Sequence, residues 1–280
     1  MLSRIFSTIL IWGIVGGSLY YGGVHAAVIL ITLLATFTLH EFYSLTEKAG
    51  FKPFRGLGLA FCVLMMAAPY YVSEYLADGE EFVGLVPGLL AIAVVFFSAG
   101  ILSARDNTNR VETLVTSMMG LLYVPFMLHY LVRLMMIYAE PSAGLVLALW
   151  VVAVSKFCDV GALLTGLAFG RHKMAPNISP KKTWEGAIGG VLVSAGLGAT
   201  IAYYAESYLP EMLNPVMAAL IGAMLAIVTI ISDLIESVMK RRADIKDTGK
   251  LIPGIGGAFD LTDSLILTAP VAYYIFSFLA

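Results

Sequence analysis

Residues Ser232–Asp263 read SDLIESVMKRRADIKDTGKLIPGIGGAFDLTD, with six acidic residues, five basic residues and four glycines. On both sides the chain is apolar over membrane-spanning lengths. An ionised side chain at the centre of a bilayer costs about 2.5–3.5 kcal/mol on insertion scales. Charge this dense between two such runs marks a membrane boundary, and a site there that handles something charged.

The composition agrees over the rest of the chain. Of 280 residues, 59% are hydrophobic and 13% are charged, where a soluble domain carries about 25% charged residues. A spanning helix needs about 20 mostly apolar residues. Nine segments qualify: 5–22, 25–44, 57–76, 82–101, 113–138, 143–169, 185–206, 214–237 and 260–279. The expectation is an all-α, polytopic integral membrane protein of about nine transmembrane helices. It forms a single transmembrane domain over 1–280. Helices in about 1–140 serve as scaffold, and those in about 143–280 carry the catalytic motifs. Cys62 and Cys158 lie inside apolar runs and read as packing residues.

Basic residues orient the chain. Arg4 and the even-numbered connections hold all 17 lysines and arginines except Arg133 and Lys156, and the odd connections hold none. The positive-inside rule then predicts a cytoplasmic amino terminus and cytoplasmic even loops. Arg133, near a helix end, can snorkel to the interface. Lys156 is deeper, with Asp159 at i+3 on the same helix face. That pair reads either as a structural ion pair or as part of a substrate pocket.

Two cytoplasmic segments exceed what a connection requires. In the first, Arg171, His172 and Lys173 precede a proline-bounded turn, and Ser179-Pro-Lys-Lys-Thr-Trp-Glu185 follows. Pro180 is expected to open the next helix with Thr183 as cap, setting Lys181 and Lys182 where phosphate oxygens bind. In the second, Asp233, Glu236, Ser237 and Lys240 share one helix face. Arg241, Arg242, Asp244, Lys246 and Asp247 continue it. A Pro253-Gly254 turn and the Gly256-Gly257 pair lead to a helix carrying Asp260 and Asp263 on one face. Adjacent glycines permit close backbone approach to a ligand. Carboxylates that stay ionised beside the membrane call for a cation, and oxygen-only ligands indicate a hard ion such as Mg2+. With neighbouring Lys and Arg to hold phosphates, this is equipment for phosphoryl or nucleotidyl transfer. The chain has neither a Walker loop nor Rossmann glycines, and no nucleic-acid partner is expected. An ion-coupled transporter would also use intramembrane acids, but would leave the basic KKTWEG loop unexplained.

At these residues the sequence resembles the phosphatidate cytidylyltransferases, or CDP-diacylglycerol synthases. The match comprises Ser237, Lys240, Arg241, Lys246, Asp247, Gly249, Ile252, Pro253, Gly254, Gly256, Gly257, Asp260 and Asp263, together with Asp159-Val-Gly, Phe169-Gly170 and Ser179–Gly186. Elsewhere the likeness is to a hydropathy pattern. The resemblance implies a transferase of phospholipid biosynthesis that makes CDP-diacylglycerol and pyrophosphate from CTP and phosphatidate. It implies Mg2+, with K+ as a second cation, and a homodimer in the inner or plasma membrane with its site facing the cytoplasm. Asp233 and Asp260, with Asp263 nearby, would be the metal carboxylates. Asp233, Asp260, Ser237, Lys240 and Arg241 would be catalytic. Lys181, Lys182, Lys246, Asp247, Gly256, Gly257, Asp159 and Arg171 would bind substrate. A related CTP-dependent transferase acting on a polyprenol or ether-lipid phosphate is the alternative. Ile255 and Leu261 stand where the family has His and Arg, and Ala258 where it has a larger apolar residue. A member of the fold without activity therefore also fits, as does His172 serving for the missing His.

Overall fold

The computed structural model describes residues 2–76, 84–103, 110–138, 140–245, 248–249 and 256–279. Its helices are α1 (Leu2–Lys48), α2 (Arg55–Leu76), α3 (Leu85–Ser103), α4 (Arg110–Tyr123), α5 (Pro125–Met135), α6 (Pro141–Phe169), α7 (Trp184–Tyr204), α8 (Pro215–Arg242) and α9 (Ala258–Leu279). One short antiparallel hairpin, β1 (Lys173–Ala175) and β2 (Ser179–Thr183), joins α6 to α7. Eight stretches among the described residues are long and apolar enough to cross a bilayer, with α4 and α5 together forming one. The chain is an all-α polytopic membrane protein.

The sequence suggests nine spans. The first two of these, 5–22 and 25–44, fall on either side of Gly23 in α1, where non-helical backbone (φ 51°, ψ −133°) kinks the chain between two helical runs. Glycine reaches that backbone conformation without a steric penalty, so the kink needs no loop. The span expected over 113–138 is divided at Val124, because Pro125 opens α5. Proline is tolerated in a first helical turn, where its missing N–H would have no helical partner. Val124 N still donates to Gly120 O (3.0 Å), and Leu128 N to Val124 O (2.9 Å), which keeps the two helices nearly continuous.

The chain forms two compact units. Met1–Arg133 and Arg242–Thr262 make the first; Leu134–Arg241 and Asp263–Ala280 make the second. In the first unit, Tyr43 is fully buried and joins three helices. Its hydroxyl donates to Ser117 O at 2.9 Å, and Ser117 Oγ accepts from Phe54 N at 2.8 Å. The ring rests on Gly58 of α2 and Gly120 of α4, where an added β-carbon would come under 3.0 Å from ring atoms.

In the second unit, α6 and α7 meet along small residues. A β-carbon on Gly186 would stand 2.8 Å from Ala162 O, and one on Gly190 2.8 Å from Cys158 O. Gly186 and Gly190 have the spacing at which membrane helices approach backbone to backbone. Polar groups fasten the contact: Ser194 Oγ donates to Val154 O at 2.8 Å and Trp150 Nε1 to Gly198 O at 3.1 Å. Cys62 and Cys158 are free and buried.

The hairpin corrects one expectation. Pro180 does not open a helix; it sits in β2, and α7 begins at Trp184. A two-stranded hairpin leaves each strand an open edge, where proline's missing N–H costs little. Thr183 does cap α7, its Oγ1 accepting from Gly186 N at 3.2 Å.

Candidate active site

The spacing of polar residues on α8 brings Asp233 and Glu236 onto one face, and α9 contributes Asp263. These three carboxylates each offer an oxygen within 4.8 Å of the others. Glu236 is almost wholly buried, with 1% of its side chain exposed, and Asp263 is 12% exposed. Hydroxyls hold α8 to α9 here. Ser232 Oγ donates to the Asp263 carbonyl, and the Thr229 and Thr268 hydroxyls lie 3.2 Å apart. Asp263 Oδ1 also accepts from Ser264 N at 2.6 Å.

Each carboxylate has a lysine. Lys182 Nζ lies 2.5 Å from Asp233 Oδ2, and Lys240 Nζ 2.6 Å from Glu236 Oε2. Lys156 Nζ lies 3.5 Å from Asp263 Oδ1 and 3.7 Å from Asp159 Oδ2. The i, i+3 pair visible in the sequence is thus one side of a three-residue bridge. Carboxylates this close repel one another when ionised, and neighbouring cations offset that repulsion. The donor set is oxygen only, which fits a hard divalent cation held by Asp233, Glu236 and Asp263.

A cavity of about 380 Å³ adjoins this group. Asp159, Lys181, Lys182 and Asp233 give it charge; Leu163, Leu167 and Ile230 give it apolar wall. Leu163 and Leu167 are also exposed, as are Trp184 and Ile188 on α7. Such a cavity has a charged side and an apolar side.

The hairpin is tied at both ends. At its base, Glu185 accepts from Arg171 N (3.1 Å) and His172 N (3.2 Å), and its other oxygen lies 2.6 Å from His172 Nδ1. His172 is therefore engaged by Glu185 while remaining 78% exposed. At the turn, Arg241 Nε donates to Ile178 O at 3.2 Å. These contacts set Lys181 and Lys182 beside the cavity from a strand rather than from a helix start.

The other expected residues are distributed as follows. Ser237 is half-buried on α8, next to Glu236. Gly256, Gly257 and Asp260 belong to the first unit. There Asp260 Oδ2 accepts from Gly257 N at 2.9 Å and Thr248 N at 3.4 Å. Gly256 has φ +124°, which side-chain-bearing residues rarely adopt. Ala258 is fully buried, and Leu261 is half-buried. Lys246, Asp247 and Ile255 lie outside the described residues. The sequence pattern put Glu236 on the acidic face without naming it a ligand; its i+3 spacing from Asp233 was the available signal.

A model of the cytidylyltransferase family matches residues 2–279. The chain belongs to that family. It is similar to a phosphatidate cytidylyltransferase of Synechocystis sp., at 29% identity over 296 residues covering 97% of this chain and 94% of that protein. A phosphatidate cytidylyltransferase of Rickettsia bellii is 36% identical over 193 residues, 67% of this chain and 80% of its own length. One from Mycobacterium tuberculosis is 37% identical over 145 residues, 52% of this chain and 42% of its own. The family match spans every helix described above, and with them the acids of α8 and α9 and the lysines that face them.

Proposed function

We propose that this protein condenses CTP with phosphatidate to give CDP-diacylglycerol and pyrophosphate. The observation that carries the reading is the cluster of Asp233, Glu236 and Asp263, each faced by a lysine, in a chain of the cytidylyltransferase family. An oxygen of the lipid phosphate attacks the α-phosphorus of CTP. The bond from that phosphorus to the bridging oxygen breaks, and pyrophosphate leaves with the electron pair. The nucleophile is already anionic and needs little help from a base.

Mg2+, held by Asp233, Glu236 and Asp263, would offset phosphate charge where it develops. Asp260, on the same helix as Asp263, is a further candidate carboxylate. Lys182 and Lys181, fixed by the hairpin, bind phosphate oxygens at the cavity. Lys240 and Arg241 steady the departing pyrophosphate, and Lys246, Asp247, Gly256 and Gly257 complete the phosphate-binding segment. Ser237 donates a hydrogen bond to a phosphate. Asp159 and Lys156 keep the cavity charge balanced, and Arg171 contacts the nucleotide. The apolar side of the cavity takes the glycerol end of the lipid.

The site faces the cytoplasm in this reading, where CTP is available. The sorting of lysine and arginine among the loops supports that orientation. K+ as a second cation and a homodimer belong to the same proposal, on the strength of the resemblance alone.

The test is direct. Purified protein in mixed micelles receives labelled CTP, phosphatidate and Mg2+, and the lipid phase is extracted. Label should enter a CDP-lipid only when all three are present. Preferential labelling with an isoprenoid phosphate would reassign the acceptor, and no labelled lipid with either acceptor would refute the reaction.

A further inference from the structure

We propose that Glu41, on α1, is a positioning residue for the segment ending in Gly256, Gly257 and Asp260. The inference rests on that segment being the phosphate-handling machinery described above. Glu41 is buried, with 9% of its surface exposed. Its Oε2 accepts two hydrogen bonds, from Thr248 Oγ1 at 3.0 Å and from Phe259 N at 2.9 Å. These partners lie 207 and 218 residues further along the chain. Phe259 N is in the first turn of α9, where backbone N–H groups find no acceptor within the helix. Glu41 supplies one, as a negative charge at the positive end of the helix.

The fit around the carboxylate is steric as well as polar. A β-carbon on Gly249 would collide with Oε1, and one on Gly257 with Oε2. Two glycines of the signature segment are thus small because Glu41 lies against them. The same stretch of α1 adds two contacts. The Thr38 hydroxyl lies 3.0 Å from that of Thr262, and the Phe42 ring meets Phe259 edge-on with centroids 6.0 Å apart. Asp260 Oδ2 accepts from Gly257 N and Thr248 N on its own account. Thr248 and the start of α9 are therefore held by two carboxylates, one local and one from the amino-terminal helix.

Positioning and catalysis by Glu41 make different demands. Glutamine can put a carbonyl oxygen where Oε2 stands and keep both bonds without the charge. Aspartate keeps the charge, but is one methylene short of both donors. The experiment compares full-length wild-type protein with E41Q, E41D and E41A in detergent, by CDP-lipid formation and by hydrogen–deuterium exchange. E41Q should keep kcat within about threefold, since a neutral acceptor still serves both donors. E41D and E41A should lose about tenfold or more in kcat, because small misplacements of reacting groups are costly. Their KM for phosphatidate should stay within about twofold, the signature of a loss confined to the transition state. Exchange should rise over residues 256–262 in E41D and E41A and remain at the wild-type level over 215–242.

An E41Q as impaired as E41A would overturn the proposal by making the charge itself essential. So would wild-type exchange over 256–262 in E41A, or an equal rise over 215–242. Exchange is read without turnover. A wild-type protein that makes no CDP-lipid would refute the reaction, and the exchange data would still decide the role of Glu41.

Discussion

Replacing Glu236 by glutamine separates two effects that the structure combines in one carboxylate. Glu236 has 1% of its side chain exposed, and its partner Lys240, 2.6 Å away, has 16%. Removing one member of a buried ion pair costs about 3–5 kcal/mol, and the residual exposure of Lys240 argues for about 3. The second effect is on the cation requirement. A charged hydrogen-bonding or ligand group contributes about 1.5–3 kcal/mol. At about 1.4 kcal/mol per tenfold, half-saturating Mg2+ should rise roughly 10- to 100-fold. Mg2+ titration of CDP-lipid formation reads the second effect, and the unfolding midpoint in detergent reads the first. The double variant Glu236→Gln with Lys240→Met removes both charges and leaves none buried without its counter-charge. It should recover much of the lost stability; its turnover falls further with the loss of Lys240, so the Mg2+ requirement is read on the single variant. A single variant that half-saturates at the wild-type Mg2+ concentration would refute Glu236 as a ligand. A double variant less stable than the single would refute the electrostatic origin of the destabilisation.

Asp233→Asn and Asp260→Asn should each lower CDP-lipid formation by about 10²-fold or more, the scale seen when a group stabilising transition-state charge is lost. Membrane-fraction yield should be unchanged, and near-normal turnover in both would remove the carboxylates from the mechanism. Glu185→Ala leaves the Arg171 and His172 donors without their acceptor and loosens the base of the hairpin. The KM for CTP should rise about 3–10-fold, with kcat less affected, in steady-state kinetics. Gly190→Val places a side chain against the Cys158 carbonyl and Ala162. Overpacking of about 1–3 kcal/mol or more should lower the monodisperse fraction on size-exclusion chromatography.

Much of the fold was legible because bilayer thickness and backbone hydrogen bonding allow few solutions for long apolar runs. What escaped were features set by single residues or by distant partners. Gly23 interrupts α1 without a polar loop, so the boundary that hydropathy marked between 5–22 and 25–44 falls at a single non-helical residue. Pro180 suited a helix start and a strand edge equally, and the ties from Glu185 and Arg241 were not local enough to favour the strand. At the site, the i, i+3 and i, i+4 spacings gave the acidic face of α8 directly. Spacing could not give Lys182 as the partner of Asp233, or Lys156 as the partner of Asp263, because those pairs join separate elements. Glu41 gave no signal in the sequence: it lies two turns before the end of α1, and its partners lie more than 200 residues away.

The order of charges along the chain also bears on how the protein is made. Lys156 and Lys182 leave the ribosome before Asp233 and Asp263, and Glu236 has Lys240 one turn away on its own helix. Membrane helices are delivered in sequence, and an acid entering hydrocarbon alone meets the full insertion penalty. Here α6 and the hairpin have already delivered the lysines that Asp263 and Asp233 pair with. Nascent chains that stop short of α8 carry Lys182 without Asp233, whereas Lys156 already has Asp159 on its own helix.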